Sequence, residues 1–161
     1  LKEAHADAVK IEGGLMRTGL IEALVNNGIP VLGHIGLTPQ SIKGIGGYKV
    51  QGKTSEQARQ LMDDAMAVEQ AGAFAIVLEC VPAELGEAIS KALSIPTIGI
   101  GAGSGCDGQV LVITDLLGVS DRPVPKFVKK FANLNPVITE ALERYKTEVE
   151  DGTFPTDEHS Y

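Results

Sequence analysis

Short apolar runs alternate with longer amphipathic ones along this chain, and each apolar run closes on a polar residue or a glycine turn. The clearest run is Ala73-Phe74-Ala75-Ile76-Val77-Leu78, which carries no polar side chain and is closed by Glu79 and then Cys80-Val81-Pro82. A run this short and this apolar predicts a strand buried on both faces, as in the parallel sheets of α/β proteins. The same signal predicts strands over residues 7–12, 29–35, 95–101 and 108–114. Helices are predicted between them. One runs from 15 to about 26 and ends at Asn27-Gly28, a C-terminal signal. Another begins at the capping box Thr54-Ser55-Glu56-Gln57, followed by Ala58, Leu61, Met62, Ala65 and Val68 at helical spacing. A third covers 82–93, where Pro82 and Glu84 suit the first turn. A last helix is predicted over 126–150, broken at Asn135-Pro136, with an irregular tail over 151–161.

Strands separated by helices argue for a parallel sheet with right-handed crossovers. The connection between the fourth and fifth strands is too short for a crossover helix and predicts a tight loop or a single turn. A doubly wound sheet and a barrel both satisfy the pattern, and the polar residues at the strand ends help to choose. Lys10 and Glu12 are two apart and share one side of their strand. His34 shares a side with Leu32, Glu79 with Val77, and Thr114-Asp115 close the fifth strand. Polar groups converging from the carboxyl ends of several strands describe the mouth of a (β/α) barrel. Each has a plainer reading. Lys10 could snorkel at a strand rim, and Glu12 could pair with it structurally. His34 taken alone reads as a satisfied core histidine, Asp115 as a helix cap, and Glu79 as a solvated residue just past its strand.

Composition narrows the classes. The 161 residues fit one domain, residues 1–161, with 43% hydrophobic content for a core. A net charge of −7 argues against a nucleic-acid partner. Cys80 and Cys106 make neither a disulfide framework nor a metal-ligand spacing. No apolar run approaches the ~20 residues of a membrane helix. The glycine-rich stretch from Gly36 to Gly52 lacks a Walker pattern and reads as a lid or an oligomer contact. Gly101-Ala102-Gly103 lacks the third glycine and acidic strand end of a dinucleotide fingerprint.

Several blocks in fixed order carry a resemblance. They are Val9-Lys10-Ile11-Glu12-Gly13-Gly14, Gly33-His34-Ile35-Gly36-Leu37-Thr38-Pro39-Gln40-Ser41, Gly46-Gly47-Tyr48-Lys49-Val50-Gln51-Gly52, Leu78-Glu79-Cys80-Val81-Pro82, and Ile98-Gly99-Ile100-Gly101-Ala102-Gly103 followed by Asp107-Gly108-Gln109. Together they resemble the ketopantoate hydroxymethyltransferase family over nearly the whole chain. The resemblance implies a TIM barrel of the phosphoenolpyruvate-binding superfamily type, a Mg²⁺ ion, and a cytoplasmic homo-oligomer, often a decamer. It implies transfer of a hydroxymethyl group from 5,10-methylenetetrahydrofolate to α-ketoisovalerate (3-methyl-2-oxobutanoate). Glu79 matches the family's general base, Lys10 the lysine that binds the keto acid, Glu12 an acidic residue at the metal, and His34 a histidine lining the site. The departure is in strand count: a TIM barrel has eight strands and this chain supplies five, mapping to the fourth through eighth. The expectation is therefore a carboxyl-terminal portion that does not close a barrel by itself. Two rivals stand beside it. One is another Mg²⁺-dependent enolate enzyme of the same superfamily, of a type that relies on a catalytic cysteine loop. The other is a non-catalytic fragment that binds a small acid or assembles with partners.

Overall fold

The computed structural model describes residues 3, 5–41, 49–121 and 123–161. The middle of the glycine-rich stretch, residues 42–48, lies outside them, and with it most of the lid or oligomer-contact reading. The chain separates into two compact units, Leu1–Val110 and Leu111–Tyr161.

The first unit holds a five-stranded parallel sheet in the order β1-β2-β3-β4-β5: β1 Val9–Glu12, β2 Val31–Gly36, β3 Ala75–Glu79, β4 Thr97–Ile100 and β5 Gly108–Gln109. Among the described residues its α-helices are α1 Thr18–Asn26, α2 Ser55–Gln70 and α3 Ala83–Ala92. The apolar run at 73–78 supplies the middle strand of the sheet from Ala75 on, as its pattern predicted; Ile76 and Leu78 have no exposed surface, while Phe74, just before the strand, is half exposed. Helix α2 starts at the predicted capping box, in which the Thr54 side chain accepts from the Gln57 amide and the Gln57 side chain accepts from the Thr54 amide. Its buried stripe is Leu61, Ala65 and Val68. Each large apolar side chain so buried contributes about 1.5–3 kcal/mol.

Strand periodicity sorts the sheet into two faces. Val31, Ile35, Ile76 and Leu78 join Ile21 of α1, Leu61, Ala65 and Val68 of α2 and Ile89 of α3 in a single core. The alternate residues, Glu12, His34, Val77 and Glu79, stand on the opposite face. Sequential strand order with the helices gathered on one face is what crossovers of uniform hand produce. A doubly wound sheet reverses its order and places helices on both faces. The arrangement is thus consistent with an arc of a (β/α) barrel.

Two expectations change in this unit. The fifth strand, predicted over 108–114, is Gly108–Gln109 only, paired with Ile98 and Gly99. An apolar run reads as an interior strand when it has neighbours on both sides. Among the described residues β5 has one, and Val110, Val112 and Ile113 are exposed. The short β4–β5 connection is held by Asp107, whose carboxylate accepts from the Thr97 amide at 2.8 Å and the Thr97 hydroxyl at 2.9 Å. Those two bonds hold the Asp107 carboxyl below its ordinary range. The helix predicted to begin at 15 opens with a 3₁₀ turn, Leu15–Arg17, before α1.

The second unit carries α4 Ile113–Leu116 and α5 Asn135–Glu150. The helix predicted from 126 therefore begins at 135, and Pro136 starts it instead of breaking it. Proline's missing N–H costs nothing in a first turn. The segment before α5 is tied to α4 and its C-terminal end by bonds from the Phe131 amide to the Leu116 carbonyl and from the Leu134 amide to the Leu117 carbonyl. The tail over 151–161 contains one 3₁₀ turn, Asp157–His159, and Phe154 packs its ring between Tyr145 and His159.

Candidate active site

Three strands deliver one cluster because of register. Glu12 pairs with His34, so the last residue of β1 lies beside the fourth of β2. His34 pairs with Val77, and Glu79 lies two residues further along β3 on the same face. Lys10 shares that face two residues before Glu12. The sequence-predicted residues Lys10, Glu12, His34 and Glu79 therefore meet.

Their contacts form a chain. Lys10 Nζ lies 3.4 Å from Glu12 Oε1 and 3.1 Å from His34 Nδ1. His34 Nδ1 is 3.7 Å from Glu12 Oε1, and His34 Nε2 is 3.0 Å from Glu79 Oε2. That last pair is close without the alignment of a hydrogen bond, so buried Nε2 has no aligned partner. His34 is 2% exposed, the Glu12 and Glu79 side chains 6% and 14%, and that of Lys10 43%. The cation thus faces solvent while the imidazole and both carboxylates sit deep. Carboxylates this buried need partners, and Glu12 has a second one: the Gln40 amide donates to its Oε2 at 3.1 Å.

Backbone geometry frames Glu79. Its carbonyl accepts from the Leu37 amide at 2.8 Å. Gly36, its partner in register, has φ +89°, and a Cβ there would stand 2.2 Å from the Glu79 carbonyl oxygen. Beyond it Cys80 adopts φ 51°, a conformation uncommon outside glycine. Burial first, and then the Glu79 charge, pushes the Cys80 thiol above its usual range. A thiol held in its neutral form is a poor nucleophile.

Sequence reasoning missed Gln40 and Gly36. The signal for both was the loop directly after β2, since groups at the carboxyl ends of parallel strands surround the site. Thr114 and Asp115 do not end a strand; they lie in α4, with Asp115 in its first turn. Among the described residues no three His, Cys, Asp or Glu side chains are placed to hold a metal.

A parallel α/β sheet thus brings carboxylates, an imidazole and an ammonium group together near its strand ends. The sequence model of the ketopantoate hydroxymethyltransferase family matches residues 1–157. Proteins named 3-methyl-2-oxobutanoate hydroxymethyltransferase are similar over all 161 residues: that of Heliobacterium modesticaldum is 60% identical, that of Syntrophomonas wolfei 57% and that of Trichlorobacter lovleyi 58%. The alignments cover 100% of this chain and 58%, 58% and 60% of those relatives, so the chain spans about three fifths of their length. The chain belongs to the ketopantoate hydroxymethyltransferase family.

Proposed function

We propose that this chain forms the catalytic portion of an enzyme that moves a hydroxymethyl group from 5,10-methylenetetrahydrofolate to 3-methyl-2-oxobutanoate, giving 2-dehydropantoate on the route to pantothenate. In this reading its strands are the fourth to eighth of an eight-stranded TIM barrel, and the whole enzyme is a cytoplasmic homo-oligomer, a decamer. The observation that supports it best is the placement of Glu79 and Lys10 in one cluster through His34, a base and a cation on either side of a buried imidazole.

Glu79, deep at the end of β3, removes the proton from the β-carbon of the keto acid. Lys10, the exposed member, binds the substrate carboxylate and offsets the charge that develops on the enolate. Water first displaces both folate nitrogens from the methylene carbon, so that tetrahydrofolate leaves with a proton on each nitrogen and a formaldehyde equivalent remains; the enolate carbon then bonds to that carbon, and its oxygen takes up the proton that Glu79 removed.

Mg²⁺ fits Glu12 as one ligand. The Lys10 contact to Oε1, at 3.4 Å, is longer than a charge-assisted hydrogen bond of about 2.7–2.9 Å, so that oxygen is not saturated. Mg²⁺ takes one or two carboxylates and keeps several waters. When bound, it supplies Lewis-acid stabilisation of negative charge on the keto oxygen. The remaining ligands belong, in this proposal, to the part of the barrel that this chain does not include.

The test is product formation by the full-length protein that carries this chain. 2-Dehydropantoate formed from the two substrates, together with deuterium exchange at the β-carbon, is expected; neither product nor exchange overturns the proposal. Residues 1–161 produced alone are expected to aggregate or stay molten and to show no turnover, because β1 and β5 each leave an edge unpaired among the described residues. A monodisperse, cooperatively unfolding and active protein of these residues would refute the barrel-portion reading.

A further inference from the structure

We infer that His34 is a positioning residue for Glu79: Lys10 holds it in the Nε2–H tautomer, and that N–H directs Glu79 Oε2, leaving Oε1 to take the substrate proton. The inference rests on Glu79 being the base, as proposed above.

The tautomer follows from what each neighbour can do. An ammonium group has donors and no acceptor, and Lys10 Nζ lies 3.1 Å from His34 Nδ1. Nδ1 must then offer its lone pair, which places the proton on Nε2. The other end of the ring agrees. Nε2 faces Glu79 Oε2 at 3.0 Å, and an ionised carboxylate only accepts. The opposite tautomer sets an N–H against the ammonium and a lone pair against the carboxylate, so it is unfavourable at both ends. Glu12 Oε1 also faces Nδ1 but at 3.7 Å, farther than the ammonium at 3.1 Å. The ring cannot turn away to water, because His34 is 2% exposed.

The contact to Glu79 is close but misaligned in the substrate-free protein. The terminal torsion of a glutamate is soft, so a small rotation of the carboxylate completes the bond. Catalytic hydrogen bonds commonly tighten in this way when substrate arrives. His34 is far more buried than Lys10, 2% against 43% exposed, which separates its positioning role from the charge contact given to Lys10.

Two measurements on the full-length enzyme test this. Neutron diffraction of crystals exchanged into D₂O is expected to show deuterium on Nε2 of His34 and none on Nδ1. Deuterium on Nδ1, alone or with Nε2, overturns the inference. The second measurement compares His34→Gln, whose amide reaches the Nε2 position, with His34→Asn, whose amide reaches only the Nδ1 position. Exchange at the substrate β-carbon is expected to fall about 10- to 100-fold in His34→Asn, the usual worth of a hydrogen bond to a charged group. It should be largely retained in His34→Gln, with KM for the keto acid unchanged in both. Equal rates in the two variants, or a loss confined to KM, overturns the inference. If the parent enzyme exchanges no β-proton, it is the functional reading that fails, and the neutron map still decides the tautomer. The map also decides should either variant fail to fold.

Discussion

Replacing Gly36 by alanine tests the link between the fold and the base. Gly36 ends β2 opposite Glu79, with φ +89°. An alanine there carries the strain of a left-handed conformation, about 1–2 kcal/mol. Its Cβ also stands 2.2 Å from the Glu79 carbonyl oxygen and 3.0 Å from Val81 Cγ1. A carbonyl cannot fold aside as a flexible side chain can, so β2 and β3 must part by roughly 1 Å to restore ordinary contact. That movement breaks the 2.8 Å bond from the Leu37 amide to the Glu79 carbonyl. Leu37 is 1% exposed, and a buried donor left without a partner costs about 1–3 kcal/mol. The expected loss for Gly36→Ala is therefore about 2–5 kcal/mol. Gly28→Ala is the control: φ is +74° and nothing lies within 4 Å of the added carbon, so strain alone applies, about 1–2 kcal/mol. Denaturant midpoints of the full-length protein at one fixed concentration measure the difference. Activity should separate the two more sharply, since a 1 Å misplacement of a catalytic group costs on the order of 10²-fold. Deuterium exchange at the substrate β-carbon should persist in Gly28→Ala and collapse in Gly36→Ala. Equal stability losses with equal exchange rates in the two variants would refute the reasoning.

Glu79→Gln conserves shape and should leave stability nearly unchanged while lowering kcat roughly 10²–10⁴-fold, the range of a general base; exchange at the parental rate removes Glu79 from that role. Lys10→Ala should raise the apparent Kd for 3-methyl-2-oxobutanoate in calorimetry, whereas Glu12→Ala should mainly shift the Mg²⁺ concentration needed for activity; the same response from both variants contradicts the division of labour. Glu69 takes hydrogen bonds from the Ser94 hydroxyl, the Ser94 amide and the Ile95 amide, and the Ser94 bonds lead in holding its carboxyl below the ordinary value near 4.5. A depressed carboxyl contributes stability that is full above its unfolded pKa and is lost as pH falls through the lower, folded one. Unfolding midpoints taken from neutral pH down past 4.5 should fall more steeply in the parent than in Glu69→Gln; parallel curves would show that the contact does not form.

The elements whose physics is local were legible in the sequence. The apolar run at 73–78 needed no partner to be identified as a strand, because burial on both faces favours successive apolar residues, and Ala75–Leu78 are buried while Phe74, just before β3, stays half exposed. The start of α2 was written in Thr54 and Gln57, whose reciprocal bonds span three residues. That Lys10 and Glu12 share a face followed from the period of a strand. Outcomes that depend on distant chain were not legible. The apolar residues from Val110 to Ile113 match a strand equally well whether or not a second neighbour pairs with them, and β5 stops at Gln109. Pro136 could break a helix or begin one, and bonds from the preceding segment to Leu116 and Leu117 accompany the second outcome. The meeting of Glu12, His34 and Glu79 was decided by register across three strands, where a slip of one residue would have turned each side chain to the helix-covered face. Backbone amides such as that of Gln40 carry no side-chain signature at all, so their place against Glu12 is a property of the folded chain alone.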